Sequence, residues 1–387
     1  MIKIRKKSKC CGCEACIQIC PQSCISLVID NEGFLYPKVD KSSCVDCGLC
    51  DTVCPVINQR ESQKPLRLYA AKNPNEEIRK NSSSGGVFTI LAEDTISKGG
   101  VVFGARFDEN WDVIHDYTET NEGLAAFRGS KYVQSRIGDN FKEVRRFLED
   151  GRQVLFSGTP CQVAALRLFL KRDYDNLLLI DLICCGVPSP ALWKSYLKEI
   201  CRERGIEKID GIYFRDKSLG WRESSFRIDG CNKKENILFL ESNVINYYYL
   251  GFVNSLYLRP SCHKCPVKPY RRVSQITLGD FWGVQDFMPE MYDDKGSSLI
   301  VVNSQKGESA LEKYSYLLQE VDSSYFDRKY NPRYFKSARK DKDRAIFYRK
   351  YRKGVDTLSI FEKYCKIYKH TFFEKVVWNL KHIKNKF

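Results

Sequence analysis

The sequence predicts a chain of mixed α+β and α/β class in three parts: a cysteine-dense head, a long α/β body and a helical, basic tail. Three observations carry that prediction. Ten of the eighteen cysteines fall between Cys10 and Cys54. The middle of the chain alternates strand-length apolar runs with runs of helical period, the pattern of βαβ units. From Lys336 to Phe387 there are 16 Lys/Arg against 5 Asp/Glu, which is +11 of the chain's +15. The boundaries expected are 1–62 for the head, 66–335 for the body (66–150 and 151–335), and 336–387 for the tail.

Composition narrows the class. With 387 residues, 43% apolar and 29% charged, the chain buries real cores and is not wholly disordered. Met1–Lys9 is charged and leads into no apolar run, so no secretory signal is expected. The most apolar stretch, Leu177–Val187, is short and interrupted by Asp181, so it does not span a bilayer. A cytoplasmic location follows as the expectation, and there cysteines serve as metal or redox ligands rather than disulfides. Four histidines argue against His-based zinc or triad chemistry. Nucleic-acid binding rests on net charge alone, with no recognised module, and is not expected.

In the head one pattern occurs twice: Cys10-x2-Cys13-x2-Cys16-x3-Cys20-Pro21 and Cys44-x2-Cys47-x2-Cys50-x3-Cys54-Pro55. Three thiolates at i, i+3 and i+6 hold three corners of a [4Fe-4S] cubane, and the fourth Cys of each run crosses to the other cluster. The assignment expected is Cys10, Cys13, Cys16 and Cys54 for one cluster, and Cys44, Cys47, Cys50 and Cys20 for the second. Structural zinc is the competing reading, but zinc requires neither the third Cys at x2 nor the trailing Cys-Pro. The head therefore reads as a two-cluster ferredoxin-like module. Ile25–Ile29 and Phe34–Val39 read as strands of a hairpin around Asp30–Gly33, and Cys11 and Cys24 as bystanders.

A polar linker near 59–65 leads into the body. A helix is expected from Gly85-Gly86 to Gly99-Gly100, then strands at Val101–Phe107 and Trp111–Tyr117, then a helix through Phe141, Val144, Phe147 and Leu148. Gln153–Ser157 is an apolar strand, Thr159-Pro160 an N-cap and N1 pair, and Cys161–Arg172 a helix. Leu177–Ile183 and Pro190–Arg204 repeat the strand–helix unit, which implies a parallel sheet covered on both faces. Ligands sit beyond the carboxyl ends of such strands, where Cys161 and Cys184 both fall. The Cys262-x2-Cys265 pair brings the count to four, enough for a third cluster. By spacing alone, zinc at that pair and ordinary core cysteines compete with it on equal terms. Cys201, Cys231 and Cys365 read as structural.

Several motifs carry a family resemblance. They are Ser82-Ser83-Ser84-Gly85-Gly86-Val87, Gly129-Ser130-Lys131-Tyr132-Val133, Phe156-Ser157-Gly158-Thr159-Pro160-Cys161-Gln162, Asp181-Leu182-Ile183-Cys184, Gly186-Val187-Pro188-Ser189, Phe214-Arg215-Asp216-Lys217 and Leu278-Gly279-Asp280-Phe281-Trp282-Gly283. From about Tyr69 to Asn303 the body resembles the family of beta subunits of coenzyme F420-reducing hydrogenase and F420-dependent dehydrogenases. A ferredoxin head fused in front is a common arrangement there, especially in bacterial members near polysaccharide-synthesis genes. The resemblance implies an iron–sulfur flavoprotein that binds FAD, and makes Cys161, Cys184, Cys262 and Cys265 ligands of a third [4Fe-4S] cluster. One departure stands out: many relatives read Cys-His-Gly where this chain has Cys184-Cys185-Gly186.

The flavin contacts expected are Ser84, Gly85, Gly86, Gly129, Ser130, Lys131, Tyr132, Thr159, Asp280 and Trp282. Ser84-Gly85-Gly86 entering a helix suits a pyrophosphate, though an ordinary turn competes. Lys131 would pair with a phosphate and Tyr132 stack on a ring, against a solvated Lys and a core Tyr. Asp280 and Trp282 offer a polar handle and an aromatic wall, against a structural Trp; Lys217 and Arg222, on a loop, would meet an anionic substrate. No acid–base constellation stands out, since the cofactor carries the reaction. The partners expected are a ferredoxin-like electron donor or acceptor and a small hydride acceptor, either an F420-like deazaflavin or a metabolite of polysaccharide synthesis. A non-catalytic electron-transfer subunit is the alternative. The tail, 345–386, mixes aromatic residues with Lys/Arg at helical spacing, broken near Gly354. It fits peripheral contact with an anionic membrane face or an acidic partner, or an apolar stripe packed on the body.

Overall fold

The computed structural model describes residues 1–326 and 330–365. The head hairpin consists of β1 (Ile25–Ile29) and β2 (Leu35–Val39), antiparallel with Ile25 opposite Val39. Its turn is set by Asp30, whose carboxylate accepts from the backbone N–H of Glu32 at 3.0 Å and Phe34 at 2.9 Å.

The body is built on one large sheet. Its strands are β3 (Arg67–Ala71), β4 (Val101–Phe107), β5 (Val113–Thr118), β6 (Val154–Gly158) and β7 (Leu177–Leu182). After an inserted three-stranded antiparallel sheet of β8 (Lys208–Asp216), β9 (Ser225–Cys231) and β10 (Asn236–Ser242), it resumes with β11 (Ile276–Asp280), β12 (Ser298–Val302) and β13 (Gln319–Glu320). The order across the large sheet is β13-β3-β12-β11-β7-β6-β4-β5. The central strands β11, β7, β6 and β4 are parallel. The flanking strands pair antiparallel, so the sheet is mixed where sequence reasoning expected it parallel.

Alternation along the central strands divides two core layers. Phe103, Val154, Phe156, Leu177 and Leu179 face the helices Asn140–Glu149 and Pro160–Leu170. Val102, Leu155, Ile180 and Leu278 face the helix Val87–Ser97 on the other side. The helix after β6 starts at a capping box in which Thr159 and Gln162 satisfy each other's neighbouring N–H groups. The Pro190–Arg204 helix starts at Ser189 and stops at Gly205, whose φ is +68°.

Two expectations shift. Trp111 is not in β5; it occupies a turn at φ +59°, closed by the Asp108 carboxylate on the N–H groups of Asn110 and Asp112. In the tail, the helices Arg344–Arg352 and Thr357–Tyr364 bury Phe347, Tyr348, Ile360 and Phe361 with the inserted sheet and the Pro190–Arg204 helix. The apolar stripe of that stretch is core. The rest of the tail, from 366 on, lies outside the described residues. Among those described, no helix is long and apolar enough to cross a membrane.

The head does not hang on a linker. Gln18 accepts from the N–H of Phe141 at 2.9 Å and of Lys142 at 3.3 Å, capping a body helix from outside its own sequence. Glu14 accepts from Gly138 N at 2.9 Å. Arg344 grips Glu32 with two nitrogens, at 3.0 and 2.7 Å, so the first tail helix straps the head hairpin to the body.

Candidate functional site

The head cysteines line two cavities. The inner one, at the body, is walled by Cys10, Cys11, Cys13, Cys16 and Cys54, with Ile2, Ile4, Gln134 and Pro190. The outer one is walled by Cys20, Cys24, Cys44, Cys47 and Cys50, with Met1 and Asp46. Each fourth cysteine has crossed: Cys54 stands with the first run and Cys20 with the second. Burial first, then the Cys10 and Cys54 thiols, push Cys16 up, and burial likewise raises Cys54. Thiols crowded in this way ionise together only around a cationic guest, and binding one releases protons. Among the described residues no three His, Cys, Asp or Glu side chains converge on the scale of one metal ion. Five thiols line each cavity, and the four of them in the spaced runs, Cys10, Cys13, Cys16 and Cys54 in one and Cys20, Cys44, Cys47 and Cys50 in the other, fit a cubane.

A third group forms at the carboxyl ends of the parallel strands. Cys161 follows β6 and Cys184 follows β7, and Cys262 and Cys265 arrive on the Pro260–Lys264 turn. Burial first, then Cys184, Cys161 and Cys265, raise Cys262, so the four thiols share one neighbourhood. Gly186, at φ +126°, makes this approach: a Cβ there would lie 2.6 Å from Leu258 Cδ1 and 3.3 Å from Cys262 Cβ. Lys268 donates to the Cys184 carbonyl at 2.7 Å and lowers the thiol's pKa, while burial pushes it up to about 11.

Two cysteines that spacing left aside link these groups. Cys11, buried on the inner cavity wall, feels both the Cys13 and the Cys161 thiols, and its own pKa is raised. Cys185 is half-buried; its thiol is raised to about 11 by burial and then by Cys184, and also feels Asp280. On its far side Tyr132, Asp280 and Trp282 come together around Arg215. Arg215 donates to Asp280 at 3.0 Å and to Tyr132 Oη at 3.5 Å, and lies over the Trp282 ring at 5.3 Å. Burial opposes the Arg215 charge, but Asp280, Tyr132 and Tyr249 together outweigh it and the pKa rises. Trp221 stacks on Trp282 at 4.9 Å and 7°, and donates to Asp280 at 3.1 Å. Sequence reasoning quoted Arg215 within a motif without giving it a role, and passed over Trp221.

The Ser-Gly-Gly loop has a different neighbourhood. A Cβ on Gly85 would lie 2.5 Å from the Ala71 carbonyl and 2.6 Å from Ser298 N, so this glycine lets the loop press on β3 and β12. Ser84 donates to the Ser297 carbonyl at 2.8 Å, and Ser83 Oγ accepts from Ser130 N at 2.5 Å. Lys217, expected on a surface loop, donates to the carbonyls of Arg79, Ser84 and Lys295 at 2.7–2.8 Å and ties this loop down. Gly129, at φ +80°, is exposed with open space around it. Lys131 donates to the Arg128 and Gly129 carbonyls, and burial lowers its pKa to about 7. Among the described residues no carboxylate forms an ion pair with it. Thr159 Oγ1 lies 3.3 Å from Cys161 Sγ, on the thiol group rather than beside Lys131.

Comparison with known proteins agrees with this division. Residues 68–139 match the family model "Coenzyme F420 hydrogenase/dehydrogenase, beta subunit N-term" and residues 151–319 its C-terminal counterpart. Residues 9–58 match the 4Fe-4S dicluster domain. A subunit of the F(420)H(2) dehydrogenase of Methanosarcina mazei is 24% identical over 219 residues, covering 54% of this chain and 60% of that protein. A 7Fe ferredoxin of Hydrogenibacillus schlegelii is 40% identical over 42 residues, 11% of this chain and 47% of that protein. A pyruvate synthase subunit of Methanothermobacter marburgensis is 40% identical over 50 residues, 13% of this chain and 52% of that protein. The chain thus spans 60% or less of the length of each of these relatives. A chain of the F420-reducing [NiFe] hydrogenase complex from Methanosarcina barkeri superposes with a TM-score of 0.46 at 16% identity, covering 78% of this chain and 93% of that one.

Proposed function

The chain belongs to the family of the coenzyme F420 hydrogenase/dehydrogenase beta subunit and carries a 4Fe-4S-binding head, and from that premise we propose an iron–sulfur flavoprotein oxidoreductase. In this reading electrons enter from a ferredoxin-like protein at the outer cavity. The outer, inner and body thiol groups would hold clusters able to pass electrons singly, and a bound FAD would let them leave as a hydride to a small acceptor, an F420-like deazaflavin or a metabolite of polysaccharide synthesis. Two one-electron transfers and one proton make each hydride, so two donor molecules are oxidised per acceptor reduced. The observation that supports it is the unbroken succession of thiols: outer cavity, inner cavity, Cys11, Cys161 and its three companions, then Cys185 beside the Tyr132–Asp280–Trp282 group.

Bound flavin would supply the exchange between one-electron and two-electron chemistry. The protein's own residues do the rest. Arg215, held by Asp280, presents fixed positive charge beside Tyr132 and Trp282, where a reduced ring would carry negative charge. Lys131 offers its amine to a phosphate. The strap of Arg344 on Glu32 fixes the distances between the head and body thiols.

The test is anaerobic reconstitution of the full chain. Iron and sulfide for three cubanes, one FAD, and reduction of an added deazaflavin by reduced ferredoxin are the expected results. Zinc in place of iron, or no flavin uptake, overturns the reading; clusters and flavin with no hydride acceptor reduced would make the chain a non-catalytic electron carrier for a partner enzyme.

A further inference from the structure

Among the described residues Arg259 is the largest charged side chain with no exposure at all. It lies three residues before Cys262 and reaches out of the body into the head. Its Nε donates to the Cys10 carbonyl at 2.8 Å, Nη1 to Gln134 Oε1 at 2.9 Å, and Nη2 to the Leu35 carbonyl at 2.9 Å and toward Cys10 Sγ at 3.5 Å. The guanidinium lies over the Tyr36 ring at 4.2 Å and the Phe34 ring at 5.4 Å. Among the described residues no carboxylate forms an ion pair with it; every hydrogen-bond partner is a neutral oxygen or a thiol.

A buried cation with no ion pair is costly; buried Glu14, whose pKa Arg259 lowers, directs its carboxylate at the Gly138 N–H instead. The chain goes to some length to place this cation. Gly12, inside the first cysteine run, has φ +71°, and a Cβ there would lie 2.8 Å from Arg259 Cζ and against Gln134 Nε2. The run is shaped around the guanidinium. The charge acts on both neighbouring thiol groups: Cys10 and Cys11 raise the Arg259 pKa against the lowering by burial, and Arg259 lowers that of Cys161. Among the described residues no Lys or Arg lines the outer cavity. The cation on its wall is the Met1 amine, which is already neutralised by Asp46 at 2.8 Å and Asp51 at 3.3 Å.

Resting on the cluster reading above, we propose that Arg259 is a positioning residue that sets the potential of the inner head cluster, so that electrons entering at the outer cluster are drawn toward the body. A cluster gains one unit of negative charge on reduction, and a fixed cation directed at a ligand sulfur stabilises that reduced form. The low dielectric that makes the bare cation costly also makes the stabilisation large. In the step concerned the outer cluster loses one electron and the inner cluster gains it; no proton and no further reactant take part. Burial alone would push the inner cluster the opposite way, to lower potential, and Arg259 offsets this.

The experiment is an EPR-monitored redox titration of the reconstituted full chain with iron and sulfide counts, for wild type, Arg259→Gln and Arg259→Lys. The inner signal is identified by its disappearance in Cys54→Ala. In Arg259→Gln the partition of one electron between the two head clusters should shift toward the outer one by about tenfold, equivalent to about 59 mV in a one-electron couple. The outer midpoint should stay put, and Arg259→Lys should retain most of the wild-type partition. Unchanged midpoints in a fully loaded Arg259→Gln protein overturn the proposal, as does an equal shift in both variants. Loss of one cluster's iron in both variants also overturns it and leaves Arg259 a structural strut. A wild-type chain that takes up no head clusters fails the underlying reading instead, before either variant is measured.

Discussion

The two cysteine runs of the head have the same spacing and opposite surroundings. Gly12 and Asp46 occupy the same place in their runs, and both have positive φ, +71° and +51°; Glu14 and Gly48 form a second such pair, at +62° and +76°. The backbone is therefore one loop made twice. What differs is what the loop meets. Gly12 admits a buried guanidinium, whereas Asp46 reaches out to the chain's own amino terminus. Glu14 is buried and accepts from a body N–H, whereas Gly48 has nothing within 4 Å of where a side chain would begin. Cys47 is exposed, while its counterpart Cys13 is buried. Ligand spacing specifies which metal group is held; the residues between the ligands specify what that group is coupled to. On this comparison the inner loop is the one joined to the body, and the outer loop the one left facing solvent.

The crossing of the fourth cysteines gives the sharpest way to break the comparison, and the largest effect. Cys54→Ala should remove the cluster walled by Cys10, Cys13 and Cys16, and Cys20→Ala the one walled by Cys44, Cys47 and Cys50, each with loss of about one cubane of iron. If the fourth cysteine served its own run, Cys54→Ala would instead deplete the outer site and leave the Arg259-coupled signal intact. Iron counts combined with the EPR signals decide between these outcomes.

A smaller effect separates the two equivalent glycine and aspartate positions. Gly12→Ala places a Cβ at positive φ, which costs about 1–2 kcal/mol for an L-residue, and drives it against Gln134 and Arg259. Destabilisation of more than about 2 kcal/mol is expected once the packing conflict is added. Asp46→Gly removes an exposed side chain from a position glycine prefers, and should change stability far less. Denaturant midpoints of the anaerobic proteins, read by cluster absorbance, test the pair. Similar midpoints for the two variants would mean that the inner loop yields as easily as the outer.

What was legible in the sequence follows the range of the interactions concerned. The cysteine runs, the β1–β2 hairpin and the β6–helix–β7 unit were readable because local spacing, turn residues and caps determine them: Asp30 closes its own turn, and Thr159 and Gln162 cap their own helix. The cysteines at the sheet end could be located because strand ends and helix starts bracket them. Contacts across long sequence separations were not readable. Arg259 pairs with Cys10 across 249 residues and Gln18 caps a helix 123 residues away. Arg215 sat inside a quoted motif, yet its clamp on Asp280 spans 65 residues. Cys11 was read as a bystander and Cys185 only as a departure from the relatives' Cys-His-Gly, because spacing alone does not say what either faces; the fold sets Cys11 between two thiol groups and Cys185 between Cys184 and Asp280. The antiparallel flanks of the large sheet were missed for a related reason: β12, Ser298–Val302, is buried throughout and carries no alternation to betray its direction.

The smallest predicted effect concerns the amino terminus, the outer loop's substitute for Arg259. The Met1 amine is raised from 8.0 to about 10, first by its hydrogen bond to Asp46, with Asp51 adding to it. Because the folded pKa exceeds the unfolded one, this contact contributes fully below about pH 8 and is lost as pH rises toward 10. The reduced charge of a bound cluster beside it would act in the same direction. Since the groups are exposed, the effect is slight and screened by salt. Hydrogen exchange at Ile2, whose N–H points at Cys50 Sγ at 3.1 Å, should therefore speed up between pH 8 and 10 by more than the intrinsic base-catalysed rise. Asp46→Asn should flatten most of that excess, leaving the part due to Asp51. The inner loop, held by an arginine that keeps its proton across this range, should show no such window at Gly12 or Cys13. An equal excess in both loops would mean that the terminus and the guanidinium are not the distinguishing contacts.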